Sequence, residues 1–339
     1  MAVLIVTTEE SGVDKYSQEL AERLDVKQII SPRYMSLKEV FRLSKLIRNE
    51  HDIVHLPNQN FARFCFLRKK PYVVTVHDVI RFYLHFEPER TVERLLLRLD
   101  IWSIKRASHV IATSQHTKKD LIKYMRIPES KITVVYDGID HNIFKLYDVN
   151  LRILDRPYIL YVGSERPRKN LGRLFEAFAV LKKDFPNLNL LKVGPAGRYD
   201  GYRKDSQRKL VSLGISCDVA FIEYVSEHDL ASYYRSAELL AYPSLYEGFG
   251  LPPVEAMACG CPVVTSNVSS IPEVVGDAGI LVNPHDVNSL IQAMKRVLTN
   301  SRLRDEMVWK GLEQVQKFSW EKTAELTLQV YNKVACGEN

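Results

Sequence analysis

The segment Glu247-Gly248-Phe249-Gly250-Leu251-Pro252-Pro253-Val254-Glu255 sets a carboxylate at each end of a glycine-rich turn, directly after the apolar run LLAYPS. A strand, a tight turn and a helix start are expected in that order. Glycines let the main chain approach a ligand and prolines suit a first helical turn. The free N–H groups of a helix start favour an anion, so a phosphate fits here. Carboxylates repel anions and accept hydrogen bonds from neutral hydroxyls instead. The two demands together describe a polyol joined to a phosphate, which is the chemistry of a sugar nucleotide. The competing reading is that Glu255 merely complements the helix dipole and Glu247 is solvated.

A second loop, Gly163-Ser164-Glu165-Arg166-Pro167-Arg168-Lys169-Asn170, also follows a strand-like run and precedes a helical one. Its three cations suit a leaving diphosphate, Arg offering a planar fork and Lys a point charge, although an isolated loop of this kind would read equally well as surface charge. In the first half, Ser11-Gly12-Val13 lies between the first strand and its helix, where one glycine either admits a ligand or simply turns the chain. His77-Asp78 closes the run YVVTVH, at a strand end where a ligand-facing residue belongs and where a structural histidine is as readily found. Asp-x-Asp, G-x-x-x-x-G-K-[ST] and G-x-S-x-G are all absent, and Pro253 stands where a third Rossmann glycine would be. A metal-bridged diphosphate and a dehydrogenase fingerprint are therefore unsupported, and no metal or cofactor is expected.

Positioning these loops requires strands that end where the loops begin. Short β-rich runs at 2–6, 27–30, 53–56, 72–77, 109–114 and 132–136 form one series, and runs at 158–163, 188–194, 219–224, 239–244, 262–266 and 279–283 form another. Helical periodicity fills the gaps, notably at 15–24, 36–49, 91–107 and 117–125, the last with Ser114 or Thr117 as its cap. It continues at 286–299, 301–316 and 319–335. The weakly periodic HNIFKLYDVNLRILDRP between the series is the expected linker. The pattern is α/β, two doubly wound parallel-sheet domains facing a central cleft, with ligands beyond the carboxyl ends of the strands where the crossover direction switches.

A chain of 339 residues, 46% hydrophobic and 26% charged, is a globular composition with room for two cores. No apolar run is long enough to cross a bilayer. Five cysteines at 65, 217, 259, 261 and 336, without zinc-type spacing, read as reduced packing thiols. The net charge of +6 is too mild to argue for nucleic acid. It is uneven, however: residues 1–155 hold 25 basic and 20 acidic side chains, against 22 and 21 in the remainder. Part of the excess is the block FARFCFLRKK, where Arg63, Arg68, Lys69 and Lys70 alternate with Phe61, Phe64 and Phe66. It reads either as a solvated edge before a strand or as a patch for an anionic acceptor or membrane surface.

Over nearly its whole length the chain resembles the retaining glycosyltransferases of family 4, which have the two-Rossmann GT-B architecture. Glu247 and Glu255 match the family's Glu-x7-Glu motif, and the following ACGCPVVTS is also typical. The resemblance implies that Glu247 contacts hydroxyls of the transferred sugar and Glu255 the nucleotide ribose. Gly163, Gly248, Phe249, Gly250 and Leu251 would line the donor, the last two through main-chain donors. Arg168 and Lys169 match the basic pair on the diphosphate, while Ser164 stands where many members carry another arginine. His77 matches a histidine near the anomeric carbon. Gly12 matches the N-terminal glycine loop, Ser11 replacing one of its two glycines, and Asp137 in VVYDGID replaces the asparagine of an NGVD stretch.

The domains expected on this basis are an acceptor-side domain at 1–150, a donor domain at 151–318 and a final helix at 319–339 crossing back to the first. The implied activity is metal-independent transfer of a hexose, with retention, from a nucleotide diphosphate sugar to an acceptor hydroxyl, mannose from GDP-mannose being preferred over glucose from UDP-glucose. The implied acceptor is a glycan or lipid-linked molecule. The expected location is cytoplasmic, with peripheral contact at the inner face of the membrane through the basic first domain. A non-catalytic nucleotide-sugar binding protein and an epimerase or phosphorylase of similar shape are the alternatives.

Overall fold

The computed structural model describes residues 2–7, 12–31, 37–83, 91–147, 156–197, 199 and 201–337. Each expected series forms a six-stranded parallel sheet. The first contains β1 (Ala2–Thr7), β2 (Lys27–Ser31), β3 (Ile53–Leu56), β4 (Tyr72–Val76), β5 (His109–Ala112) and β6 (Ile132–Val134), in the order β2-β1-β3-β4-β5-β6. The second contains β7 (Tyr158–Val162), β8 (Asn189–Val193), β9 (Val219–Ile222), β10 (Leu239–Tyr242), β11 (Val263–Ser266) and β12 (Ile280–Val282), in the order β12-β11-β10-β7-β8-β9. Helices cover both faces of such sheets, so the inner strands are apolar runs, as in IVHL, YILYV and LLAY, with every residue buried. The crossover direction reverses between β1 and β3 in one sheet and between β7 and β10 in the other.

The chain divides into two compact units, Met1–Gly138 with Phe318–Asn339, and Ile139–Lys317. The first division falls just before the weakly periodic linker. In the second unit the helix Leu171–Asp184 sets Leu171, Leu174, Phe175, Phe178 and Leu181 at helical spacing against Ile159, Leu190 and Leu239. Burying one such side chain contributes about 1.5–3 kcal/mol.

In the first unit the last helix, Trp320–Ala335, packs Trp320, Ala324, Val330, Tyr331 and Val334 among Leu4, Val73 and Ile111 of the sheet. Ser319 caps it, accepting the Lys322 N–H at 3.2 Å. Thr323 donates to the Tyr136 carbonyl at 2.8 Å, and Gly138 lies so close that a Cβ there would meet the Trp320 nitrogen at 2.3 Å. A buried polar chain joins this helix to the sheet: Tyr331 Oη lies 2.7 Å from His55 Nδ1, and His55 Nε2 lies 2.8 Å from the Thr75 hydroxyl. Thr75 is in turn 3.2 Å from Tyr16 Oη. Burial pushes His55 down to about 3, so it is neutral.

Two local expectations are corrected. The helix expected over 117–125 is a regular helix only at Gln115–Asp120, with Ser114 as its cap; a single π turn, Leu121–Met125, follows and closes at Arg126 in the left-handed region (φ 56°). In the FARFCFLRKK block, Arg63 and Arg68 are not free surface charge. Arg63 donates to the buried Asp100 through its main-chain N–H at 2.8 Å and Nε at 3.0 Å. Arg68 is buried and donates to the carbonyls of Ile47, Glu50, Asp52 and Pro71. Sequence adjacency hid both partners, which arrive from other elements.

Asp137 is buried beside this helix junction, and its Oδ1 has no hydrogen-bond partner. Burial raises its pKa to about 6, with His77 opposing. A raised carboxyl pKa means the native state holds the proton more tightly, so stability falls as pH rises from about 4 through 6. Replacing Asp137→Asn removes that dependence. Denaturant melts should show the variant gaining up to about 3 kcal/mol relative to the parent between pH 4 and pH 8; a pH-independent difference would count against a buried, proton-holding Asp137.

Candidate active site

The two chemically loaded loops of the second unit leave the carboxyl ends of β7 and β10, the neighbouring strands at its switch point. There Arg168 Nη1 donates to Glu247 Oε2 at 2.9 Å and to the Tyr246 carbonyl at 3.1 Å. Lys169 Nζ donates to Glu247 Oε1 at 2.7 Å and to Tyr242 Oη at 2.5 Å. One carboxylate thus receives two cations, one on each oxygen.

Local sequence explains the placement. Pro167 opens a single 3-10 turn, Pro167–Lys169, and Asn170 ends it in the left-handed region (φ 60°). The Asn170 side-chain amide donates to the carbonyls of Pro243 at 3.0 Å and Pro284 at 2.8 Å, and the Leu245 N–H donates to Arg168 O at 2.7 Å. The two loops are therefore stitched through their backbones as well as through their charges.

Across the turn, Gly250 (φ 113°) precedes the helix Leu251–Ala258 and has no side chain to cap it. Any Cβ at Gly250 would meet Ile271 Cδ1 at 2.7 Å. Ser269 Oγ accepts the Glu247 N–H at 2.9 Å, and Ser270 Oγ donates to the carbonyls of Glu247 at 3.0 Å and Phe249 at 2.7 Å. Gly248 and Phe249 are buried in this turn, and Leu251 is half-buried at the helix start. Glu255, one turn further on, accepts from Tyr234 Oη at 2.8 Å. Gly163 (φ 146°) ends β7, and Gly194 after β8 approaches so closely that its Cβ would lie 2.9 Å from Gly163 O.

Electrostatics separates the partners. Burial alone would raise Glu247, but Arg168 and Lys169 outweigh it and hold the carboxyl down at about 2. Burial depresses the Lys169 ammonium to about 8, and Glu247 only partly offsets this because it is shared with Arg168. Two cations against one carboxylate give these three side chains a net charge of +1.

In the first unit His77 follows β4, its Nε2 donating to Pro57 O at 2.8 Å and its main-chain N–H to Gln59 Oε1 at 3.0 Å. The Tyr16 ring stands edge-on at 5.0 Å. Gly12 is the first residue of the helix Gly12–Arg23, and Ser11 lies outside the described residues. Sequence reasoning missed Tyr242, Tyr234, Asn170, Ser269 and Ser270. Only the Ser-Ser pair ahead of Ile271-Pro272, hydroxyls at a helix start, offered a signal. Among the described residues no group of three or more His, Cys, Asp or Glu is placed to hold a metal ion.

The family described as glycosyl transferases group 1 matches residues 144–314, and glycosyltransferase family 4 matches residues 2–143. The chain belongs to glycosyltransferase family 4. The O-antigen chain mannosyltransferase B of Escherichia coli is 32% identical over 272 residues, covering 76% of this chain and 69% of that one. The O-antigen chain mannosyltransferase RfbU of Salmonella typhimurium is 32% identical over 225 residues, covering 66% and 60%. The match to the E. coli serotype-specific mannosyltransferase WbdA takes in only 29% of that relative. A sucrose-phosphate synthase from Thermosynechococcus elongatus superposes with a TM-score of 0.83 at 22% identity, over 99% of both chains. Anabaena HepE in complex with UDP and glucose gives 0.83 at 19% identity, over 98% of this chain and all of that one. These likenesses show that this family 4 chain has the two-sheet GT-B fold.

Removing Glu247 strands the buried Lys169 and the half-buried Arg168, whereas removing Lys169 leaves Arg168 still paired to the carboxylate. Glu247→Gln should therefore destabilise the family 4 chain by about 3–5 kcal/mol, and Lys169→Met by less than about 1.5 kcal/mol, in urea unfolding at pH 7. The Glu247 contribution is complete above pH 4.5 and disappears as pH falls towards 2. Equal losses in the two variants would refute the shared-carboxylate arrangement.

Proposed function

We propose that this chain transfers a hexose, with mannose preferred, from a nucleoside diphosphate sugar to an acceptor hydroxyl, with retention at the anomeric carbon and without a metal. The observation that carries the reading is the Glu247–Arg168–Lys169 cluster at the switch point beside an uncapped, glycine-led helix start. Two cations around one carboxylate, a net charge of +1, suit a diphosphate, and preference for mannose is supported by the two O-antigen mannosyltransferases among the relatives. GDP-mannose is the first donor to test and UDP-glucose, suggested by the HepE complexes, the second.

In this reading the acceptor oxygen attacks the anomeric carbon on the face the diphosphate leaves, and its proton passes to a phosphate oxygen. Arg168 and Lys169 stabilise the charge that grows on that leaving group. Glu247 accepts hydrogen bonds from the sugar, Glu255 from the ribose, and the main chain at Gly163, Gly248, Phe249, Gly250 and Leu251 lies against the donor. His77 and Gly12 of the first unit keep the roles that the family resemblance assigns them. A carboxyl held at about 2 by two cations is a weak nucleophile, which favours this course over a covalent glycosyl-Glu247 intermediate. The acceptor in this reading is lipid-linked or a glycan.

Diphosphate binding brings negative charge to Lys169 and should pull its pKa upward from about 8. Calorimetry at pH 8.5 in buffers of different ionisation enthalpy should then show proton uptake on GDP-mannose binding, with affinity weakening above pH 8. Lys169→Met and Glu255→Ala should each reduce transfer about 10²-fold or more while keeping the fold. Near-normal turnover in both, or donor binding with no turnover on any hydroxyl acceptor in the parent, would overturn the proposal.

A further inference from the structure

The first unit carries a surface that the donor chemistry leaves unused. On the helix Thr91–Arg106, residues 94, 95, 98, 102, 105 and 106 are all exposed and recur at i, i+3 and i+4 spacing, so they form one outward stripe. The stripe reads Arg94, Leu95, Arg98, Trp102, Lys105, Arg106. Trp102 lies 4.5 Å, ring to ring, from Phe66, and the Arg106 guanidinium sits over the Trp102 ring at 4.5 Å to the centroid. Phe66 brings with it the turn that follows the 3-10 segment Gln59–Cys65, where Leu67 and Lys69 are exposed. Leu67 and Leu95 are 62% and 60% exposed, high values for aliphatic side chains. The carboxylates of these two segments are Glu93, half-buried, and Asp100, buried against Arg63.

We infer that this face docks on the surface of an anionic lipid bilayer. Aliphatic tips interleaved with Lys and Arg suit the boundary between headgroups and acyl chains: the leucines enter the apolar side and the cations meet lipid phosphates. A second copy of the chain would bring like charges together. A nucleic acid would want free aromatic faces for stacking, whereas the Trp102 ring is already occupied by Phe66 and Arg106. The inference stands independently of the transfer reaction, since none of these residues belongs to the Glu247 cluster.

Co-sedimentation with vesicles of phosphatidylcholine alone, or with one quarter phosphatidylglycerol, tests it directly. Binding is expected on the anionic vesicles, should fall at least about tenfold there between 50 and 300 mM salt, and should be at least about tenfold weaker on the neutral ones. The double variant Arg98→Glu/Lys105→Glu should lower anionic-vesicle partitioning at least about tenfold, and Leu67→Ser/Leu95→Ser should also weaken it, with thermal melts unchanged. Absence of binding to anionic vesicles, unchanged binding by the charge-reversed variant, or retention on duplex DNA with the same dependence on these residues would overturn it. The thermal shift caused by soluble GDP-mannose, read in parallel without vesicles, reports on the donor site alone and so separates failure of this inference from failure of the proposed function.

Discussion

The second unit is organised by one buried carboxylate shared between two cations. Glu247 is drawn from the turn after β10, and Arg168 and Lys169 from the turn after β7, so the contact clamps together the two loops at the point where the sheet's crossovers part. A topological switch point opens a crevice by default, because no crossover connection covers it. Charge pairing gives that crevice a defined wall. The backbone contacts from Asn170, Ser269 and Ser270 have their meaning in relation to this pair: they keep three ionised groups from relaxing toward solvent.

Such a cluster is a poor way to gain stability and a good way to store electrostatic potential. Burial depresses the Lys169 ammonium, and the carboxylate that would offset this is shared with Arg168, whose own charge opposes a second cation. The family 4 chain therefore keeps a cation poised beside an uncapped helix start, with two hydrogen-bonding acids, Glu247 and Glu255, on either side of it. Tyr242 and Tyr234 hold the far sides of the Lys169 ammonium and the Glu255 carboxylate through single hydroxyl contacts, which fixes their orientation without adding charge.

Much of this was legible from residue order alone, because the determinants are local. Each strand appears where an apolar β-rich run stands, and the glycine turn and the cation loop declare themselves by type and spacing. The parts that escaped are those made by distance in sequence. Nothing in RFCFLRKK says that Arg63 meets Asp100 or that Arg68 is consumed by four carbonyls. His55 sits inside an apolar strand, where burial keeps it neutral, and only the approach of Tyr331 and Thr75 shows how its two ring nitrogens are satisfied there. Ser269 and Ser270 became visible as supports of the glutamate turn only once β10 and β11 lay side by side.

The join between Gly138 and Trp320 has a further consequence. The second unit, Ile139–Lys317, is an insertion whose entry and exit points lie beside one another within the first. As the polypeptide emerges from the ribosome, the inserted unit has all of its strands before the first unit receives the helix that closes its core. The order of maturation thus runs against the order of translation: the N-terminal sheet must wait, incompletely covered, until the helix Trp320–Ala335 has been made.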